Sequence, residues 1–383
     1  MYIINLGEKN TTIVKYNKQK EIVKTFQTPT IGFKHNQISN ISESLTMFKN
    51  IDKFFKKENL KNEEITLSLS SKNIKSKKIE KSIVLKNVPI TKELIQSEIE
   101  NKDNKELTTI HSIPFKYEIN SQENVLNPIG LFADTFKIHY YEFSIETKIL
   151  EELKSTFKKL GIHITTFVMD VYAEVLNIAK KNYSLISIFN EHIVISEVYN
   201  NNITNFIKLD IGFEVILEDL KKGLKIYDND ICKTFIKTIG VPFDEKYKDD
   251  FIVEYNNKTI TVSINFISEI ILARVSEILK DIINENLVNN LHNIYIMGAE
   301  FQNIKNINKI LNFLDLSQLK ILDYQINNGI LLFNNNIRNS NELKIKNEKE
   351  ENLEEIKISI QNNNSSKENT QKQSLWNKII NFI

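Results

Sequence analysis

One order of elements is written into this chain twice. Residues 2–7 (YIINLG) and 11–15 (TTIVK) read as two strands around a tight turn. Residues 43–58 follow as a helix with apolar positions at Leu45, Phe48, Ile51 and Phe54, and 65–70 (ITLSLS) as a further strand. In the second half, 184–189 (SLISIF), 192–198 (HIVISEV) and 203–209 (ITNFIKL) read as three strands, and 214–225 as a helix. Strand–turn–strand–helix units in both halves predict two related α/β lobes.

The segments between and after them fill in the outline. Ile90–Ile99 opens a helix with Thr91 as N-cap, 109–119 and 134–145 alternate like strands, and 147–160 is an amphipathic helix stopped by Gly161. Residues 170–180 are helical. Residues 266–283 form the strongest helix, with Ile267, Ile271, Val275, Ile278 and Ile282 on one face. Residues 293–297 (NIYIM) are a short buried strand before Gly298, 302–314 are helical, and 329–333 (GILLF) close the fold. From about residue 339 the chain turns rich in Lys, Glu, Asn, Ser and Gln and reads as a disordered linker, until the last ten residues become abruptly apolar.

Composition excludes several classes of function. Lys plus Arg is 50 against 49 Asp plus Glu, so no basic field exists to wrap nucleic acid. A single cysteine, Cys232, excludes an internal disulfide and a multi-cysteine metal site, and reads as a small core residue of a helical segment. The six histidines are scattered, without a pair at metal-ligand spacing. No apolar run reaches 18 residues, and the first residues read as a strand rather than a signal peptide, so a cytoplasmic protein is expected. No P-loop, G-x-S-x-G or H-E-x-x-H motif occurs. Glycine occurs nine times where average usage of about 7% would give roughly 27, so each glycine marks a place where the backbone needs one.

Those glycines and one string of residues carry a resemblance. His111-Ser-Ile-Pro-Phe-Lys-Tyr-Glu-Ile-Asn120, followed by Asn127-Pro-Ile-Gly-Leu131, resembles the "H-x-(I/L)-P-x-x-(Y/F)-x-(I/V)-D … N-P-(I/V)-G-(M/L)" string of the actin-like cell-division FtsA family. Gly161-Ile-His-Ile, Asp210-Ile-Gly-Phe-Glu-Val-Ile-Leu-Glu-Asp-Leu220, Ile270–Glu277 (IILARVSE), Met297-Gly-Ala-Glu300 and Gly329-Ile-Leu-Leu match further family strings in order. The likeness covers about 1–338 and the tail.

The resemblance implies an actin-like two-lobed α/β fold of the Hsp70 and sugar-kinase type. Subdomain 1A would comprise 1–81 and 164–181, the family's extra subdomain 1C 82–163, subdomain 2A 182–224 and 285–338, and subdomain 2B 225–284. The linker would be 339–373 and an amphipathic membrane-targeting helix 374–383. In this fold two hairpin turns cradle ATP phosphates with backbone N–H groups, and acids there organise Mg²⁺. Carried onto this chain, the nucleotide-binding positions are Asn5, Gly7, Arg274, Glu277, Gly298 and Ala299. Three departures stand out. Asn5 replaces the family's Asp, Glu8 puts a negative charge beside the first turn, and Ser187-Ile-Phe-Asn-Glu-His192 replaces the glycine-rich "D-I-G-G-G-T-T-D" of the second. The expectation is a cleft that binds ATP and Mg²⁺ weakly or not at all and does not hydrolyse it.

In the tail, Leu375, Trp376, Ile379, Ile380 and Ile383 form one helical stripe, with Phe382 widening it and Lys378 on the polar side. Such a helix binds a lipid surface moderately and reversibly, and copies on one polymer bind it firmly. The resemblance implies a scaffold at the division site, on the cytoplasmic side of the plasma membrane. It would tether the C-terminal peptide of FtsZ through subdomain 2B. Through 1C it would associate into filaments and contact later division proteins. The rival readings are a pilus-assembly scaffold of the PilM family and an ATPase of the actin and Hsp70 fold.

Overall fold

In the computed structural model one sheet is built twice. The structure describes all residues except 59, 61–62, 100–104, 201, 242–249, 283–292, 324–325, 328 and 335–383. Met1–Leu331 form one compact unit and Leu332–Ile383 a second, of which 332–334 are described. The expected linker and the tail residues Leu375, Trp376, Lys378, Ile379, Ile380, Phe382 and Ile383 lie outside the described residues.

The first lobe opens with β1 (Tyr2–Leu6), β2 (Asn10–Tyr16), β3 (Ile22–Pro29), the short pair β4 (Phe33–Lys34) and β5 (Gln37–Ile38), α1 (Ile41–Phe55) and β6 (Ile65–Leu69). Then come β7 (Lys75–Pro89), α2 (Lys92–Ile99), β8 (Leu107–Ile119), β9 (Gln122–Val125), β10 (Phe132–Glu146), α3 (Thr147–Lys159), β11 (Thr166–Met169) and α4 (Asp170–Asn177). The second lobe runs β12 (Tyr183–Ile188), β13 (Ile193–Tyr199), β14 (Asn202–Leu209), α5 (Glu214–Leu224), α6 (Asn229–Thr238), β15 (Phe251–Tyr255), β16 (Lys258–Val262) and α7 (Ile264–Ser276). It closes with β17 (Ile294–Met297), α8 (Ile307–Phe313) and β18 (Leu319–Ile321).

The first lobe's sheet has the order β11-β6-β1-β2-β3 and the second lobe's β18-β17-β12-β13-β14. In each, three parallel strands meet two antiparallel ones at the first strand of the lobe. Both first strands are buried at every position, as mostly apolar central strands are, and they carry Asn5, Ser184 and Ser187 into the interior. The hairpin turns β1–β2 and β12–β13 therefore occupy equivalent places.

Local chemistry sets the boundaries. The Asn40 side chain accepts from the N–H groups of Ser42 and Glu43 and starts α1, which buries Met47, Phe48, Ile51, Phe54 and Phe55. Thr91 caps α2 through the Leu94 N–H. The chain leaves α3 through Gly161 at φ +73, as a C′ glycine should. The expected single helix at 302–314 is a 3-10 turn at Phe301–Asn303 followed by α8, because Asn306 turns left-handed at φ 63 between them. The α-helical part of 266–283 ends at Ser276 and passes into a π-helical turn at Glu277–Ile282.

Between β6 and β11 the chain builds an insert, the antiparallel sheet β7-β10-β8-β9 with α2 beside it. It has a core of its own in Ile90, Ile95, Ile119, Ala133, Phe136, Ile138 and Tyr140. The far ends of its long strands belong elsewhere. Ile113, Tyr141, Phe143 and Ile145 join a core that also holds Ile4 and Leu67 of the first lobe and Leu185, Val194 and Phe206 of the second. One apolar interior thus runs across both lobes. A second core fills the space between the other face of the second sheet and α5, α6, α7 and α8.

Candidate functional site: the cleft between the lobes

A cleft of about 370 Å³ opens where the two equivalent hairpin turns face each other. Asn5, Gly7 and Glu8 line it from the first lobe, and Phe189, Asn190 and Ala299 from the second. Gly7 is required by close approach, because a Cβ there would stand 2.7 Å from the Asn10 carbonyl. Gly298, beside Ala299, is required by another, since its Cβ would stand 2.6 Å from the Ile188 carbonyl. Three of the six expected nucleotide positions, Asn5, Gly7 and Ala299, thus line this cleft, and a fourth, Gly298, is the chain neighbour of Ala299.

The other two do not. Arg274 and Glu277 border a separate groove between α5 and α7. Arg274 Nε donates to Asp219 at 2.7 Å, and Nη1 donates to Glu277 at 2.6 Å. The cause is the face of α7 on which they lie. Phe266, Ile270 and Ala273 share that groove against α5, whose Asp219 captures the guanidinium. The pair is a surface ion network worth about 0–1 kcal/mol.

The second turn shows what replaces the glycines. Phe189 is 9% exposed and stacks on the His192 ring at 4.4 Å between centroids. The Phe189 N–H donates to the His192 carbonyl, closing the turn on itself. The turn's outer carbonyls are taken as well, because Phe213 N–H donates to Phe189 and Glu214 N–H to Asn190. The Asn190 N–H points the other way, across the cleft, to Glu8 Oε2 at 3.0 Å.

Asp170, which the sequence analysis did not single out, lines the cleft, and a second such carboxyl, Glu174, is buried near it. Asp170, at the start of α4, accepts from Ser71 N–H and Val171 N–H. Burial raises its carboxyl to about 6 against this support. Glu174, one turn further on, is 1% exposed and bonded to the Ser187 hydroxyl. Burial, reinforced by Asp170, holds it well above the usual carboxylate range. Glu174 thus brings a carboxyl to Ser187, at the end of β12, from another element. The signal was present: two acids at i and i+4 within the apolar stretch 167–176 (FVMDVYAEVL) share one helix face. The Glu8 carboxyl, although the residue as a whole is exposed, is recessed in the cleft, and burial pushes it up to about 7. His192 is fully buried and held down to about 3 by desolvation, so its imidazole is neutral. Among the described residues no group of His, Cys, Asp and Glu could hold a metal ion. Cys232 is buried in the second lobe's core, away from this chemistry.

Two lobes of one topology, with a hairpin turn from each facing the other across a cleft, define the actin-like ATPase fold. Solved structures bear this out. The chain is similar to a "PilM-PilN type IV pilus biogenesis complex" at TM-score 0.52 and 10% identity, covering 83% of this chain and 87% of that one. It is similar to MreB5 of Spiroplasma citri bound to AMPPNP at TM-score 0.51 and 14% identity, covering 90% and 99%. The ADP-bound form of MreB5 gives TM-score 0.52 and 14% identity, with coverage of 89% and 98%. At these identities the likeness is one of fold. No family model matches the chain, and no curated protein matches it in sequence.

Proposed function

We propose that this chain is an FtsA-like scaffold that ties the FtsZ ring to the cytoplasmic face of the plasma membrane and helps assemble the division machinery. The observation that carries the reading is the string His111–Asn120 with Asn127–Leu131. Its residues hold the insert in place. His111 Nε2 accepts the Met169 N–H at 3.0 Å and joins β8 to the first lobe. Asn120 Oδ1 accepts from Asp134 and Thr135 N–H and sets the start of β10. Gly130 takes φ +85 in the loop before it. In this reading the cleft is a structural joint with weak or no affinity for Mg-ATP. The second lobe takes the FtsZ C-terminal peptide, the insert serves self-association and later division proteins, and the apolar tail meets lipid.

A pilus-assembly scaffold is the second reading, favoured by the likeness to the PilM–PilN complex. Liposome flotation with fluorescent FtsZ separates them, comparing the full chain with one cut after Gln373. FtsZ floating only with the full chain is the expected result. A protein that floats and leaves FtsZ behind favours the pilus reading. If the full chain itself stays at the bottom, the membrane role is lost.

A further inference from the structure

The seam between the lobes is closed by the protein's own side chains. The Asn190 N–H, in the second hairpin turn, points across the cleft as a phosphate-binding turn points its N–H at an anion. Glu8 meets it with a carboxyl oxygen, which accepts the N–H as a phosphate oxygen would. Further pairs cross the seam beside it. Glu191 is held by Lys34 and by His35 Nε2 at 2.8 Å. Ser71 Oγ lies 2.9 Å from His192 Nε2. Lys72 Nζ donates to Asp210 at 2.6 Å and to the Glu191 carbonyl at 3.2 Å. Lys208 Nζ donates to the carbonyls of Lys72 and Ile74 at 2.8 and 2.9 Å. Each joins a residue before β7 to one in β12–β14 or the segments that border them.

From this geometry we infer that Glu8 is a built-in stand-in for phosphate, and that with these pairs it holds the lobes closed with no nucleotide bound. The inference is independent of the division role. It turns the loss of the second turn's glycines into a change of closing agent, from a diffusible anion to a side chain. An external phosphate would have to displace Glu8 to reach the turn.

The test is a distance measurement between spin labels on the full chain. Lys49→Cys on α1 and Asn312→Cys on α8 are exposed sites in opposite lobes, and buried Cys232 stays in place. With Glu8 intact, the distance distribution is expected to be narrow and unchanged by millimolar Mg-ATP or inorganic phosphate. Glu8→Ala is expected to broaden it, and phosphate to narrow it again. Glu8→Gln, whose amide oxygen still accepts the Asn190 N–H, is expected to stay narrow, which separates the contact from a general folding defect. A Glu8→Ala distribution as narrow as the parent overturns the inference. So does a parent distribution that is broad until nucleotide is added.

Discussion

Glu8 makes the state of the cleft depend on pH at a single atom pair. Its carboxyl sits at about 7 in the folded chain against 4.5 for the free side chain, so the folded state keeps a proton that the unfolded state has released. Stability contributed by Glu8 is therefore full below about pH 4.5 and declines as pH rises through about 7. Glu8→Gln has no proton to lose. Its melting temperature should match the parent at about pH 5 and exceed it at about pH 8, read by thermal scans at the two pH values. His111 and His192 act in the opposite sense. Both are held down to about 3 by burial, so the folded state refuses protons that the unfolded chain binds below about 6.5, and stability is lost on acidification from there. The sequence marks these residues unevenly. Gly7 and Gly298 are legible because so few glycines survive in the chain. The partner of Glu8 is not, because a backbone N–H has no letter of its own and Asn190 is remote in sequence.

The elements with one apolar face were legible, and those whose pattern is set by neighbours were not. The expected helix at 147–160 and the strand at 65–70 match α3 and β6 to within a residue. The strand β7 (KSKKIEKSIVLKNVP) was missed, since lysine-rich runs read as solvated loop. It forms because it is an edge strand paired along its length with β10, which leaves Lys75, Lys77, Lys78 and Lys86 exposed and Ile79, Ile83 and Leu85 half-buried. The π-helical turn after α7 has no periodic signature, and the groove that takes Arg274 is a property of two helices together. The second hairpin turn depends on Gly212 just as closely, for a Cβ there would stand 2.4 Å from the Asn190 carbonyl and 2.6 Å from the His192 nitrogen. Gly212→Ala should cost about 1–3 kcal/mol by pushing on the turn backbone, measured by denaturant unfolding.

Across the whole molecule the twofold repetition of the sheet was visible in advance, while the continuity of its interior was not. Phe143 of β10 meets Phe206 of β14 edge-on at 5.0 Å, which ties the base of the insert to the second lobe. Phe143→Ala should cost about 3–5 kcal/mol and move one shared unfolding transition rather than melt the insert alone. The comparison is made by following the insert and the lobes with separate spectroscopic probes. The strand that carries Phe143 spans 15 residues, roughly 50 Å when extended. One end is anchored in the insert's core and the other in the interior common to both lobes. In mechanical terms it is a beam clamped at both ends. A pull on the insert along this beam loads its two flanking ladders in shear, so many hydrogen bonds resist together instead of opening one by one. Strain applied to the insert is carried along this strand into the interior that the two lobes share.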